Sequence, residues 1–275
     1  MASSTSSLSN LQIRILVAIA GIAVFMGMLW IGWEGTIALF AGILALSLWE
    51  FYGLSPFRFP LAWKLLGTML GIGLFFFLLV ISMEKGPGPF RLLFFLSPIL
   101  LILLVFSKIE RPFETLSWMV GGWFYLVTPW ICMVLMVLDA TELKSTLLGL
   151  FGLLWMADSG AYFAGRSLGK NKLLPRVSPK KTWEGLAGGL AAALLLAWAL
   201  GQFFSQDFSP QQWLVLAVST TLAGTLGDLA ESVLKRSLDL KDSGSLLPGH
   251  GGFLDRFDGL FVAAPVNLII MTFFF

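Results

Sequence analysis

Long apolar segments constrain this chain more than any other feature of its sequence. A membrane-spanning helix needs about 20 consecutive, mostly apolar residues. Stretches of this kind cover residues 12–32, 35–54, 60–82, 88–106, 116–138, 146–166, 183–204, 211–236 and 257–275. Only 12% of the residues are charged, against about 25% in soluble proteins. The sequence therefore predicts an all-α, polytopic integral membrane protein with about nine transmembrane helices.

Polar residues divide the predicted helices into two groups. Residues 1–10 form a polar, Ser-rich N-terminal tail. Residues 11–140 hold about five helices with few charges, so they are interpreted as a transmembrane scaffold. Residues 141–275 hold about four helices and most of the polar motifs, so they are interpreted as the transmembrane region that carries the functional site. In the scaffold, Glu50 is interpreted as a carboxylate that reaches the membrane surface, because flanking polar groups extend readily to water.

Basic residues are distributed unevenly between the two sides of the predicted bundle. If the N-terminus is cytoplasmic, three of the 18 Lys and Arg residues, Lys85, Arg91 and Lys144, fall outside and the other fifteen fall inside. Such a bias is typical of cytoplasmic loops. The loops between spans two and three, four and five, six and seven, and eight and nine are therefore predicted to be cytoplasmic. The expected location is the cell (inner) membrane, with the active site facing the cytoplasm.

Two polar motifs surround the end of the predicted sixth span. Asp158–Tyr162 interrupts an apolar helix, and Ser178–Gly185 combines hydroxyl groups with lysines, a combination that suits phosphate. Thr182 is a plausible N-cap for the next helix. Glycines follow it at 185, 188 and 189, and they would let a neighbouring helix approach closely.

The predicted eighth span carries a polar stripe. Its residues are spaced at i, i+3, i+4 and i+7, which places them on one face of a helix: Asp228, Glu231, Ser232 and Lys235. Charged side chains are costly within a membrane, so such a stripe must face protein or water and indicates a functional site.

Two further carboxylates, Asp255 and Asp258, open the predicted ninth span. Because successive helices are antiparallel, they are expected near Asp228 at the cytoplasmic interface. Clustered carboxylates favour a hard cation such as Mg²⁺. The alternative is that Asp228 or Asp258 forms salt bridges with basic neighbours, namely Lys235, Arg236 or Arg256.

The polar stretch between the last two predicted spans also contains features suited to anions. In His250-Gly251-Gly252, small residues let backbone amides approach an anion, although the triplet is weak evidence by itself. Basic side chains around it could bind nucleotide phosphates or the anionic lipid surface: Lys235, Arg236, Lys241 and Arg256.

The spacing of these residues resembles the signature of the phosphatidate cytidylyltransferases, also called CDP-diacylglycerol synthases. The resemblance rests on Ser232, Lys235, Arg236, Lys241, Asp242, His250, Gly251, Gly252, Asp255, Arg256 and Asp258. Asp158–Tyr162 and Ser178–Gly185 are similar to upstream segments of that family. The resemblance implies condensation of CTP with phosphatidic acid, giving CDP-diacylglycerol and pyrophosphate.

The resemblance and the chemistry of the residues together assign roles within the predicted site. The expected catalytic residues are Asp228, Asp255, Asp258, Lys181 and Arg256. The expected metal ligands are Asp228, Asp255 and Asp258, with Glu231 and Asp158 as outer or alternative ligands. The expected substrate-binding residues are Ser178, Lys180, Thr182, Ser232, Lys235, Arg236, Lys241, His250, Gly251 and Gly252.

The same resemblance sets the expected cofactors and partners. Mg²⁺ is expected, either as two metal ions or as one ion with a monovalent cation such as K⁺. The expected partners are CTP, phosphatidic acid and membrane lipids, and no nucleic acid is expected. The protein partner considered is a second copy of the chain, in a homodimer. The alternatives are another CTP-dependent lipid enzyme, such as a CDP-archaeol synthase or a polyprenol kinase, and a membrane transporter, which also uses charges at broken helices.

Overall fold

Helices make up most of the described chain. The computed structural model describes residues 10–83, 100, 102–138, 140–204, 207–247 and 251–275. The helices are α1 (Asn10–Ile31), α2 (Trp33–Gly53), α3 (Leu61–Met83), α4 (Pro112–Val137), α5 (Leu143–Leu168), α6 (Trp183–Phe203), α7 (Pro210–Ser237) and α8 (Leu260–Phe274). Between α5 and α6, strands β1 (Lys172–Leu174) and β2 (Ser178–Thr182) pair as an antiparallel hairpin. The predicted all-α class is confirmed.

The number of spans differs from the sequence-based prediction. Within the described ranges, α1 to α7 are long and apolar enough to cross a membrane. Helix α8 has 15 residues, about 22 Å at 1.5 Å per residue, which is less than the roughly 30 Å of a hydrocarbon core. Most of the predicted span at 88–106 lies outside the described residues. The predicted count of about nine is therefore not confirmed.

Helices α5 and α6 pack against each other along small residues. A Cβ atom added to Gly189 would lie 2.6 Å from the carbonyl oxygen of Ala157, and one added to Gly160 would lie 2.7 Å from that of Gly188. Neither helix could carry larger side chains here without moving apart. The predicted close approach of a helix to the glycines after Thr182 is thus confirmed, and it brings the ends of α5 and α6 together beside the hairpin.

Side-chain hydrogen bonds connect the end of α2 to α4 and to the segment before α8. The indole of Trp118, in α4, donates to the carbonyl of Phe51 over 3.2 Å. The hydroxyl of Tyr52 donates to the carbonyl of Met119 over the same distance. A 3₁₀ turn at Leu254–Arg256 precedes α8 and contacts the same end of α2. We call this end of the bundle, which holds the hairpin and the 3₁₀ turn, the polar end.

Candidate active site

The hairpin directs its last residues into the start of α6. The Thr182 hydroxyl accepts a hydrogen bond from the amide of Gly185 over 3.1 Å, so Thr182 is the predicted N-cap. The carboxylate of Glu184 accepts hydrogen bonds from the amides of Lys170 and Asn171. These contacts fix the hairpin on the helix and hold Lys180 and Lys181 beside α5 and α7.

A cavity of about 470 Å³ lies between the hairpin and helices α5, α6 and α7. Its polar lining includes Asp158, Lys180, Lys181, Thr182 and Asp228, all of which the sequence predicted for the site. The ammonium group of Lys181 lies 2.8 Å from Oδ2 of Asp228. Asp158 lies close enough to interact electrostatically with both Lys181 and Asp228. The cavity therefore combines cationic and anionic side chains in one partly open space.

A second cluster surrounds Asp255. Lys235 donates to Oδ1 of Asp255 and to Oε2 of Glu231. Oδ2 of Asp255 accepts from the amide and the hydroxyl of Ser243, both over 3.1 Å, and from the amide of Gly252 over 3.0 Å. Burial alone would raise the pKa of Asp255, but these hydrogen bonds outweigh it and lower that pKa. We call Lys235, Ser243, Gly252 and Asp255 the Asp255 cluster.

Glu231 and Asp258 lie between the cavity and the Asp255 cluster. The side chain of Glu231 is 1% exposed, and in the described part of the chain its Oε1 has no hydrogen-bond partner. Asp258 lies in the turn before α8, close to Asp228 and Glu231. Burial, and then the negative charge of Asp228, raise the pKa of Asp258. Several carboxylates thus share one region, as the sequence predicted.

The remaining predicted residues that the structure describes do not line the cavity. The hydroxyl of Ser232 lies 3.4 Å from Oδ1 of Asp228. Arg236 donates to the carbonyl of Leu240 and is exposed. Other predicted residues are exposed or half-buried outside the described cavity lining: Ser178, Lys241, Gly251 and Arg256. The predicted residue His250 lies outside the described residues. These substrate-binding roles stay predictions.

Glu50 departs from its sequence-based interpretation. It was expected to reach the membrane surface, but it is only 6% exposed. Its Oε2 accepts a hydrogen bond of 2.8 Å from the amide of Leu254. The interpretation was wrong because the segment after α7 folds back over the end of α2 and covers the carboxylate. The sequence did offer one signal of this contact. Placing a carboxylate in an apolar helix costs free energy unless the carboxylate has a partner.

The carboxylates in and beside the cavity have donor atoms that suit a hard cation. They are Asp158, Asp228, Glu231 and Asp258. All their donors are oxygens, the type that Mg²⁺ prefers, and a buried oxygen of Glu231 has no hydrogen-bond partner among the described residues. Yet no group of three or more His, Cys, Asp or Glu side chains in the described ranges is arranged to hold a metal ion. Carboxylates would have to move together to share one.

The apolar helical bundle, with a cavity lined by lysines and carboxylates at its polar end, is typical of an integral membrane protein with a binding site for charged ligands. The chain belongs to the cytidylyltransferase family, whose model matches residues 12–274. It is 33% identical over 268 residues to a phosphatidate cytidylyltransferase of Staphylococcus aureus, covering 95% of this chain and 99% of that protein.

Other relatives match a shorter part of the chain at higher identity. A phosphatidate cytidylyltransferase of Haemophilus influenzae is 50% identical over 123 residues, which is 43% of each chain. One of Bacillus subtilis is 50% identical over 122 residues, covering 44% of this chain and 45% of that protein. The family resemblance inferred from the sequence is confirmed.

Proposed function

We propose that this protein transfers the cytidylyl group of CTP to phosphatidic acid, giving CDP-diacylglycerol and pyrophosphate. The observation that carries the proposal is the similarity, over 95% of the chain, to a protein named phosphatidate cytidylyltransferase. It is a stronger guide than the fold, because one fold hosts many activities. The polar end of the bundle supplies groups suited to that reaction.

The cavity suits the phosphates of a nucleotide. Its volume of about 470 Å³ falls within the range of roughly 300–1,000 Å³ found for small-molecule sites. Lys180 and Lys181 line it, and ammonium groups bind phosphate oxygens through charge-assisted hydrogen bonds. We therefore assign the triphosphate of CTP to this cavity, with Lys181 exchanging its contact with Asp228 for a phosphate oxygen.

The proposed reaction exchanges one phosphoanhydride bond for another. A phosphate oxygen of phosphatidate attacks the α-phosphorus of CTP and forms the new P–O bond. The bond from that phosphorus to the bridging oxygen of the β-phosphate breaks, and pyrophosphate leaves with the bonding electrons. The second pKa of a phosphate monoester is about 6, so phosphatidate is already ionised at neutral pH and needs no general base. The work of the protein is to bring two anions together.

Mg²⁺ is the proposed cofactor, and the carboxylates around the cavity would hold it. Asp228 and Asp258 are the proposed principal ligands, with Asp158 and Glu231 beside them. Bound Mg²⁺ would offset negative charge on the phosphoryl oxygens. The predicted ligand Asp255 already accepts hydrogen bonds from Lys235, Ser243 and Gly252, so we assign it first to holding the Asp255 cluster.

The proposed location is the cell membrane, with the polar end in the cytoplasm, where CTP is present. Large apolar and aromatic side chains lie exposed beside the cavity, among them Tyr162, Phe163 and Trp183. On a membrane protein such side chains contact lipid, and aromatic residues are enriched at the membrane interface. Phosphatidate could therefore present its headgroup to the cavity while its acyl chains stay in the bilayer.

Purified protein in lipid vesicles tests the proposal. Supplied with CTP, Mg²⁺ and phosphatidate, it should release pyrophosphate and form CDP-diacylglycerol in equal amounts. Diacylglycerol without the phosphate should give no product. An ether-linked phosphatidate analogue and a polyprenol test the two alternative lipid enzymes. Turnover with polyprenol but not phosphatidate, or no phosphatidate-dependent pyrophosphate release, would contradict the proposal.

A further inference from the structure

We propose that Glu50, in the scaffold helix α2, is a positioning residue for the segment that carries the Asp255 cluster. The inference rests on the proposed function, because it concerns how the residues of the polar end are kept in place for cytidylyl transfer. It gives the N-terminal helices a part in the site, although the sequence indicated only a scaffold. Glu50 acts through the backbone of the C-terminal segment rather than by touching substrate.

The first argument is the burial of the hydrogen-bonded pair. Leu254 is completely buried, and a buried amide without a partner is costly. Oε2 of Glu50 accepts the hydrogen bond of that amide over 2.8 Å. A leucine or alanine at position 50 would pack in apolar surroundings but leave this amide without its acceptor. The carboxylate of Glu50 therefore satisfies a buried amide in the segment before α8.

The second argument is the fit of the carboxylate between two glycines. A Cβ atom added to Gly244 would overlap Oε1 of Glu50, and one added to Gly252 would lie 2.6 Å from the same oxygen. Both glycines must therefore lack a side chain for Glu50 to occupy its place. This oxygen is buried between the two glycines, so its position follows from the packing of the segment around it.

The third argument is that two carboxylates accept hydrogen bonds from the same segment. Asp255 accepts from the amides of Ser243 and Gly252, and Glu50 accepts from that of Leu254. Gly252 contacts both carboxylates, because its amide donates to Asp255 and the space beside its Cα is filled by the Glu50 carboxylate. Loss of Glu50 should therefore loosen the Asp255 cluster, even though Glu50 belongs to a helix far away in sequence.

The test compares Glu50→Ala, Glu50→Gln and the control Glu34→Ala in lipid vesicles. Glu34 is the matched control because it lies exposed in the first turn of the same helix. For each protein, kcat and KM for CTP are measured, together with amide hydrogen exchange in peptides covering 240–247 and 251–257. Peptides from α2 and from the β1–β2 hairpin report on the rest of the fold.

We expect Glu50→Ala to lower kcat/KM by about 10- to 100-fold, the range seen when groups that orient a site are removed. Exchange should rise in the two C-terminal peptides and stay unchanged in the hairpin. Glu50→Gln keeps an acceptor oxygen for the Leu254 amide, so it should recover most of the activity and the protection. Glu34→Ala should match the wild type in both measurements.

Several results would overturn the inference. They are wild-type exchange and kcat/KM in Glu50→Ala, increased exchange throughout the bundle, or no recovery with Glu50→Gln. If Glu50→Ala does not purify as a folded protein, Glu50→Asp decides, since the shorter carboxylate should produce the same localised rise in exchange. If the wild type does not transfer cytidylyl groups, the proposed function fails, whereas the exchange measurements still decide the role of Glu50.

Discussion

Lys181 and Asp228 form an ion pair between the hairpin and α7, with 2.8 Å between Nζ and Oδ2. Their side chains are 24% and 37% exposed, so both can be reached from the cavity. A partly exposed ion pair is worth little for stability, typically about 0–1 kcal/mol. Its position in the cavity therefore supports the proposed binding of substrate and metal there, since the ion pair contributes little to the stability of the fold.

Replacing Lys181 by alanine should weaken CTP binding. A hydrogen bond to a charged group is worth about 1.5–3 kcal/mol, and about 1.4 kcal/mol corresponds to a factor of ten. We therefore expect KM for CTP to rise about tenfold or more, measured by pyrophosphate release at saturating phosphatidate. Lys172→Ala is the control, because Lys172 is an exposed residue of the same hairpin. Equal, small effects at both positions would favour general attraction to the membrane surface.

Asn substitutions should separate the roles of the carboxylates. Asp228→Asn and Asp258→Asn keep the size and remove the charge, so we expect the Mg²⁺ concentration for half-maximal activity to rise at least about tenfold. Asp255→Asn should leave that concentration near the wild-type value, while amide exchange around Ser243 and Gly252 increases. A Mg²⁺ titration of each variant measures the difference. A large shift in Asp255→Asn would restore Asp255 as a ligand.

The opposite end of the bundle offers a stability prediction outside the site. The carboxylate of Asp207 accepts hydrogen bonds from the amides of Thr141 and Glu142 and from the Thr146 hydroxyl, so it caps the start of α5. Removing a cap costs about 1 kcal/mol. Asp207→Ala should therefore lower the thermal unfolding temperature without changing kcat/KM. Loss of activity at an unchanged unfolding temperature would contradict this assignment.

The same cap should depend on pH. Burial alone would raise the pKa of Asp207, but the hydrogen bonds from Thr146, Thr141 and Glu142 outweigh it, and the pKa is lowered. A carboxyl group with a lowered folded-state pKa stabilises the fold above its unfolded pKa, about 3.9, and loses that contribution as the pH falls through the folded value. The difference in unfolding temperature between wild type and Asp207→Ala should therefore be full at pH 7 and shrink below about pH 4.

Local features of the site could be predicted because they depend on neighbours in sequence. The Thr182 cap follows from its position before an apolar helix, and the tight packing of α6 follows from glycines one turn apart. Long-range contacts were missed. The Glu50–Leu254 hydrogen bond joins residues 204 positions apart, and no helical or strand period connects them. Lys181 was predicted to bind phosphate, but not to pair with Asp228, because the hairpin that brings it to α7 was expected to be a loop.

The orientation of the polar end is the remaining prediction, and cysteine labelling of intact cells tests it. The fifteen-to-three distribution of basic residues predicts that Lys172 lies in the cytoplasm and Lys144 outside. Both residues are exposed, and they lie near opposite ends of α5, so Lys172→Cys and Lys144→Cys form a matched pair. The native thiol adds little background, because Cys132 is buried.

A membrane-impermeant thiol reagent should label Lys144→Cys in intact cells and Lys172→Cys only after the membrane is opened. CTP is made in the cytoplasm, so this result would give the cavity direct access to its proposed substrate. The reverse pattern would place the hairpin outside the cell. It would then contradict the positive-inside assignment and the proposed access of CTP together, while leaving the family membership intact.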